Sequence, residues 1–191
     1  MGFGVVADTA LAFHTQREEA GPGAKQSWFG NVMKYGMLGA ARTFTRPFEN
    51  IHNNIELKVD GVAIDFKKHG LADIELLNIP SFSGGCDMWG KEEDGLHDMA
   101  LNDGIIEVIG IESSFHVAEC KTGMTHAIRI AQGREIKLTT KVELPLQIDG
   151  EAWLQPPCAV NVRLRGQSFL LTTYPETKIQ EKSTTSGSKN L

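Results

Sequence analysis

The sequence predicts a mainly β domain, a sandwich or a partly closed barrel, behind an N-terminal helix. From Asn54 onward, short apolar runs of strand length follow one another. Glycine-bearing turn signals fall between most of them: Asp60-Gly61, Asn102-Asp103-Gly104, Gln132-Gly133, Asp149-Gly150 and Arg165-Gly166. The chain has 191 residues, of which 41% are hydrophobic and 23% charged, ordinary values for a globular domain with a sizeable core.

Residues 2–7 read as a buried strand. A strand that begins at the first residue needs neighbours on both sides, so this start predicts a segment of a longer polypeptide. Residues 20–25 form a Gly/Pro loop, and Ser27 is an N-cap for a helix that runs to Arg46 and is ended by Pro47. Trp28, Val32, Tyr35 and Gly39 give that helix one stripe. Strands are expected at 55–59, 62–66, 74–79, 105–111, 135–140, 146–148, 160–164 and 168–171. A short second helix is expected between 113 and 131, with Gly133 beyond it. The ordered domain covers 1–174. Residues 175–191, rich in Ser, Thr and Lys without periodicity, read as a disordered tail.

The net charge of −5 argues against a broad nucleic-acid-binding face. Cys86, Cys120 and Cys158 are odd in number and far apart, which fits neither a disulfide scaffold nor a zinc site and suits a reducing cytosol. The start has no secretory-signal pattern, and Val6 stands where N-myristoylation wants Ser or Thr. No apolar stretch is long enough to span a bilayer, so membrane contact is expected to be peripheral.

The run 144–157 is the richest in chemistry. Leu146 and Ile148 alternate with Gln147, and Asp149-Gly150 then makes a tight turn that ends at Glu151. If the backbone stays extended, Asp149 and Glu151 share one face of the sheet and can hold a cation or take a proton. Asp60-Gly61-Val62 repeats the pattern without the glutamate, so the hairpin itself does not require Glu151. Gly84 and Gly85, within Ser83-Gly84-Gly85-Cys86-Asp87, let a backbone approach a ligand, and Trp89 just beyond anchors that loop or shapes a pocket. No Gly-Lys-Ser/Thr follows, so this is no phosphate loop. Asp103 is a candidate cation ligand. The six histidines show no metal-ligand spacing. Between Glu19 and Glu49 there is no acidic residue, while Lys25, Lys34, Arg42 and Arg46 are present beside aromatic side chains. This marks Lys34, Arg42 and Arg46 as candidate contacts to an anionic membrane.

Several stretches together resemble one family. Leu77-Asn78-Ile79-Pro80-Ser81 followed by Gly84-Gly85 and Trp89-Gly90 is similar to the Leu-Asn-Ile-Pro-Ser…Gly…Leu-Trp-Gly signature of the accessory domain of eukaryotic diacylglycerol kinases. Asp103-Gly104-Ile105-Ile106-Glu107-Val108-Ile109-Gly110 resembles its Asp-x-x-Leu-Glu-Val-Val-Gly stretch, and Arg129-Ile130-Ala131-Gln132-Gly133 its Arg-x-Ala-Gln-Gly turn. The run from Gln147 to Pro157 matches Gln-Val-Asp-Gly-Glu-Pro-Trp-x-Gln-Pro-Pro, with Ala152 in place of the usual proline. Ala10-Leu11-Ala12-Phe13-His14 resembles the domain's opening. The likeness runs from Gly2 to Leu171. One departure stands out. Where the family opens Gly-x-Asp-Ala, this chain has Gly4-Val5-Val6-Ala7, although a register with a two-residue gap puts Asp8 in the aspartate's place.

The resemblance implies a two-sheet antiparallel β-sandwich with one N-terminal helix and a short second helix, the C-terminal half of a lipid-kinase fold. It implies ATP- and Mg2+-dependent phosphorylation of diacylglycerol to phosphatidic acid at a membrane surface by a cytoplasmic enzyme. It also implies a partner, the N-terminal nucleotide-binding domain with its Gly-Gly-Asp-Gly-Thr motif. That motif is absent from this sequence, so the chain by itself is expected to be inactive. Glu151 matches the carboxylate near the acceptor hydroxyl, Asp149 and Gly150 hold its turn, and Asp103 matches a magnesium position of related bacterial lipid kinases. The alternative is a non-catalytic sandwich that binds lipid or a partner protein. A metal-dependent hydrolase using Asp103, Asp149 and Glu151 lacks supporting histidines.

Overall fold

The structure is a computed structural model that describes residues 1–19, 37–38, 48, 50–91 and 95–169. The chain opens with a short strand β1 (Gly2–Gly4) and turns at once into helix α1 (Val5–Glu19). A 3-10 turn (Ile51–Asn53) leads into β2 (Ile55–Val59), β3 (Val62–Ile64) and β4 (Asp73–Leu77). After a long loop come β5 (Ile106–Ile111), helix α2 (Ser114–Lys121), β6 (Ile128–Gly133), β7 (Glu135–Thr140), β8 (Leu144–Ile148), β9 (Glu151–Gln155) and β10 (Ala159–Arg163). Every pairing between these strands is antiparallel.

They form two sheets, a six-stranded one in the order β6-β5-β4-β1-β8-β9 and a four-stranded one in the order β10-β7-β2-β3. The expected two-sheet sandwich is therefore what the chain forms. Its main core lies between the sheets, where Phe3, Ile74, Leu76, Val108 and Leu146 meet Leu57, Ile136 and Leu138. In β2 and β7 buried and exposed residues alternate, the period of a strand with one wet face. In β4 and β5 every residue is buried, because the outer face of the larger sheet is covered too. Leu77, Phe82, Met88, Trp89, Ile109 and Ile111 make a second core there, closed by Cys120 of α2. Replacing the buried Leu138 by alanine should cost about 2–5 kcal/mol, read as a lower urea midpoint.

Some elements differ from expectation. The N-terminal helix seen here is Val5–Glu19, within which residues 5–7 had read as strand. Thr9 and Thr15 donate their hydroxyls back to the carbonyls of Val5 and Leu11, and Ala7 and Ala10 are buried. The helix expected over 27–46, with Lys34, Arg42 and Arg46, lies outside the described residues apart from 37–38, as do the loop 20–25 and the tail 175–191. Helix α2 starts where Ser113 accepts a hydrogen bond from the His116 amide, and it stops at Lys121. Residues 128–133, expected as helix and turn, are strand β6, so Gln132-Gly133 is no turn. Strand β9 was not expected. Residues 168–169 are not strand, and 170–171 lie outside the described residues.

Candidate functional site

Asp149 and Gly150 have φ of 50° and 91°, both in the left-handed half that a type I′ hairpin requires. Gly150 adopts this without cost, whereas a β-branched residue there would strain the turn. The backbone at Asp149 is thus not extended, and the condition for the two carboxylates to share a face is not met. Asp149 lines a cleft of about 750 Å³ at one end of the sandwich, together with Ser81, Ser83 and Arg165. Glu151 instead lines a shallower hollow of about 220 Å³ with His14, Arg17 and Glu18 of α1. Glu151 is exposed, directly opposite Ile148 in the β8–β9 ladder.

Three acids lie on the outer face of the six-stranded sheet, and one of them, Glu75, lines the larger cleft. Asp73, Glu75 and Glu107 are each 0% exposed. Burial pushes the Glu75 carboxyl up to about 7, against the pull of the N-terminal amine and of Gln147. Burial, and then the neighbouring Glu75 charge, holds Asp73 well above the usual carboxylate range, although its Oδ2 accepts the Val6 amide at 2.8 Å. Burial likewise raises Glu107 to about 7, opposed by the Gln132 amide that donates to it. Gln132 also donates to the His97 carbonyl and accepts the His97 amide, tying the covering loop to β6.

Gln147 connects Glu75 to the hairpin. Its Nε2 donates to both Glu75 oxygens at 2.9 and 3.0 Å, and its Oε1 accepts the Gly150 amide at 2.9 Å. Sequence reasoning missed Asp73, Glu75, Glu107 and Gln147 as a set. The available signal covered two of them, since Glu75 and Glu107 are each the one charge inside a largely apolar strand run, 74–79 and 105–111.

The remaining candidates are scattered. Gly84 and Gly85 are exposed, with φ of 96° and 106°, at the tip of a small loop closed by the Phe82–Cys86 bridge. They do not line the cleft, but Phe82 and Ser83 do. Trp89 is 1% exposed, donates its indole N–H to the His97 carbonyl at 2.9 Å, and carries the Arg129 guanidinium 4.4 Å from its ring centroid. Asp103 accepts the Ile105 amide at 2.9 Å and so shapes the turn into β5, while Gly104 reaches the cleft. His116 is a satisfied histidine that bridges the Glu112 amide and the His126 carbonyl. Val6 partly packs on the second core.

Among the described residues, no three Asp, Glu, His or Cys side chains come together to hold a metal ion. Asp103, Asp149 and Glu151 therefore do not form a magnesium cage. The loop at 83–87 closes on itself instead of opening a helix, so it does not fit a nucleotide phosphate. No described helix is long and apolar enough to cross a membrane. What the site does offer is an exposed carboxylate just after a tight turn, and a cleft lined by that turn and by the buried Glu75.

The family model of the diacylglycerol kinase accessory domain matches residues 1–152. Diacylglycerol kinase 1 of Arabidopsis thaliana is 35% identical over 179 residues, covering 92% of this chain and 24% of that protein. Probable diacylglycerol kinase 3 of Caenorhabditis elegans is 34% identical over 188 residues, covering 88% and 24%. Diacylglycerol kinase eta of Mesocricetus auratus is 35% identical over 175 residues, covering 90% and 15%. The chain thus spans about a quarter or less of the length of these relatives. No solved structure matches it. With a two-sheet sandwich, the Asp149-Gly150-Glu151 hairpin and a family match over residues 1–152, this chain belongs to the diacylglycerol kinase accessory domain family.

Proposed function

We propose that this chain is the C-terminal part of an ATP-dependent lipid kinase that converts diacylglycerol to phosphatidic acid, and that Glu151 takes the proton from the acceptor hydroxyl. The hydroxyl oxygen forms a bond to the transferred phosphorus as the bond to the departing nucleotide breaks, and the proton passes to the Glu151 carboxylate. Phosphoryl transfer depends on positioning and charge neutralisation, with a carboxylate orienting the nucleophile. ATP and Mg2+ are held mainly by the nucleotide-binding domain, a further part of the enzyme, so this chain alone does not turn over. The enzyme works in the cytoplasm and is recruited peripherally to the membrane that contains diacylglycerol.

One observation carries the reading. Glu151 is exposed, held by a turn with two positive φ values, and faced by His14 and Arg17 across a hollow. Such a carboxylate is free to meet a substrate hydroxyl, and its backbone position is set by the turn. The test measures phosphatidic acid formed from diacylglycerol vesicles and ATP. The chain alone should give none, and the chain fused behind the nucleotide-binding part of a related diacylglycerol kinase should give product. Turnover by the chain alone, or a folded fusion that binds ATP yet makes no product, would overturn the proposal.

A further inference from the structure

We propose that Glu75 and Gln147 are positioning residues, which hold the Asp149-Gly150 turn, and with it Glu151, in one orientation through a two-step hydrogen-bond relay. The inference rests on the reading of Glu151 given above.

Glu75 on β4 and Gln147 on β8 both pair with Gly2 of the strand between them. The three residues form one row across the sheet, on the same face. Two strand spacings separate the outer members, roughly 9–10 Å, too far for side chains to meet over an ordinary residue. They meet because Gly2 has no β-carbon. A β-carbon there would fall on the Glu75 carboxyl group.

The relay has a defined direction. Glu75 accepts with both oxygens from the Gln147 Nε2, so the amide cannot flip without losing both contacts. Its Oε1 is thereby aimed at the Gly150 amide, at the centre of the turn. Glu75 is 0% exposed and Gln147 is 7% exposed, so water does not substitute for either partner. Asp73 is the other acid that acts on Glu75, and in the separate chain the Met1 amine also lies 3.9 Å from its Oε2.

Packing alone gives no reason for this arrangement. Glu75 faces Ile109 across the ladder and shares its side of β4 with Leu77, so an apolar residue would suit the position better. A buried acid where packing favours an apolar residue, bonded to the turn that carries Glu151, is the kind of local conflict found at functional positions.

The test uses two variants and two readouts. In the 191-residue chain, nuclear magnetic resonance follows the Gly150 amide. Glu75→Leu should shift that resonance and speed its hydrogen exchange about tenfold or more relative to amides of β7, with a lower urea midpoint from the unpaired Gln147 amide. Glu75→Gln retains one acceptor oxygen and should leave the amide nearly unchanged. In the fusion enzyme, Glu75→Leu should lower kcat by about 10- to 100-fold with KM for diacylglycerol within about threefold, and Glu75→Gln should restore most of it.

A Gly150 amide unmoved by Glu75→Leu overturns the relay, and that readout needs no activity. Equal loss in both variants also overturns it, since charge and not the acceptor would then matter. Unchanged kcat in Glu75→Leu, in an enzyme that Glu151→Gln disables, overturns the positioning role alone. If Glu151→Gln is also silent, the reading of Glu151 is what has failed.

Discussion

Replacing Glu151 by glutamine in the fusion enzyme should lower kcat by about 10²–10⁴-fold, with KM for diacylglycerol and the folding midpoint little changed. Glutamine has nearly the same shape as glutamate but cannot accept a proton at neutral pH. The substitution therefore removes one chemical capacity and little else. The fold should not notice, because Glu151 is exposed and no hydrogen bond or ion pair within the described residues depends on its side chain. Surface changes of this kind usually move stability by less than about 0.5 kcal/mol. A loss confined to kcat marks an interaction made in the transition state, whereas a loss confined to KM marks one made equally with bound substrate. Steady-state kinetics on mixed vesicles reads the split. A kcat within about threefold of the parent enzyme would remove Glu151 from the chemistry.

The second large effect concerns stability and pH. Glu75 and Glu107 are both raised to about 7, and Asp73 is raised as well, each first by burial. Unfolded, these groups titrate near their ordinary values of about 4. Between those limits the folded chain binds protons that the unfolded chain releases, so stability falls as pH rises. The two glutamates' contribution is fully present below about pH 4, declines through the interval, and is gone above about pH 7. Each glutamate accounts for a loss on the order of 3 kcal/mol. Glu56 and Glu135 are shifted downward, first by Lys141 and by Asn161 respectively, which acts in the opposite sense, but both lie at the surface and contribute little. Urea unfolding should therefore give a higher midpoint at pH 5 than at pH 7.5, opposite to the usual behaviour of acid-labile domains. Glu107→Gln should flatten the slope without abolishing it, since Glu75 and Asp73 remain. A midpoint that climbs steadily from pH 5 to 7.5 would show that these carboxyls are not held protonated by burial.

Parts of this structure were legible from residues alone because their physics is local. Asp60-Gly61 and Asp149-Gly150 each demand a tight turn, and both are hairpins with paired positive φ. Strands 55–59 and 135–140 are recovered residue for residue, since their apolar alternation is undisturbed. Elsewhere, distant partners decide. Ile128 and Ile130 alternate as a strand should, but Ser113 opens a helix just upstream, and nothing before Thr122 and Gly123 signals where it stops. Strand β9 is an exposed edge with Trp153 and Leu154 half open and Pro156 just beyond, so it lacks the pattern of a buried strand. The start of α1 carries Val5 and Val6, which favour strand in isolation. The site divides in the same way. Glu151 stands out because its turn does. Its neighbours His14 and Arg17, and the Glu75–Gln147 contact across Gly2, depend on which strands pair, and pairing over more than seventy residues leaves no mark in any short window.

Strand β1 has only three residues, yet it is the seam of the six-stranded sheet, with β6-β5-β4 on one side and β8-β9 on the other. Without it there are two separate ribbons. Zipping them together must wait until residues 144–148 have been made and have found the amino-terminal end, a long loop closure of the kind that comes late in folding. Met1 borders the cleft as well, so whatever loosens this seam also loosens one wall of the cleft.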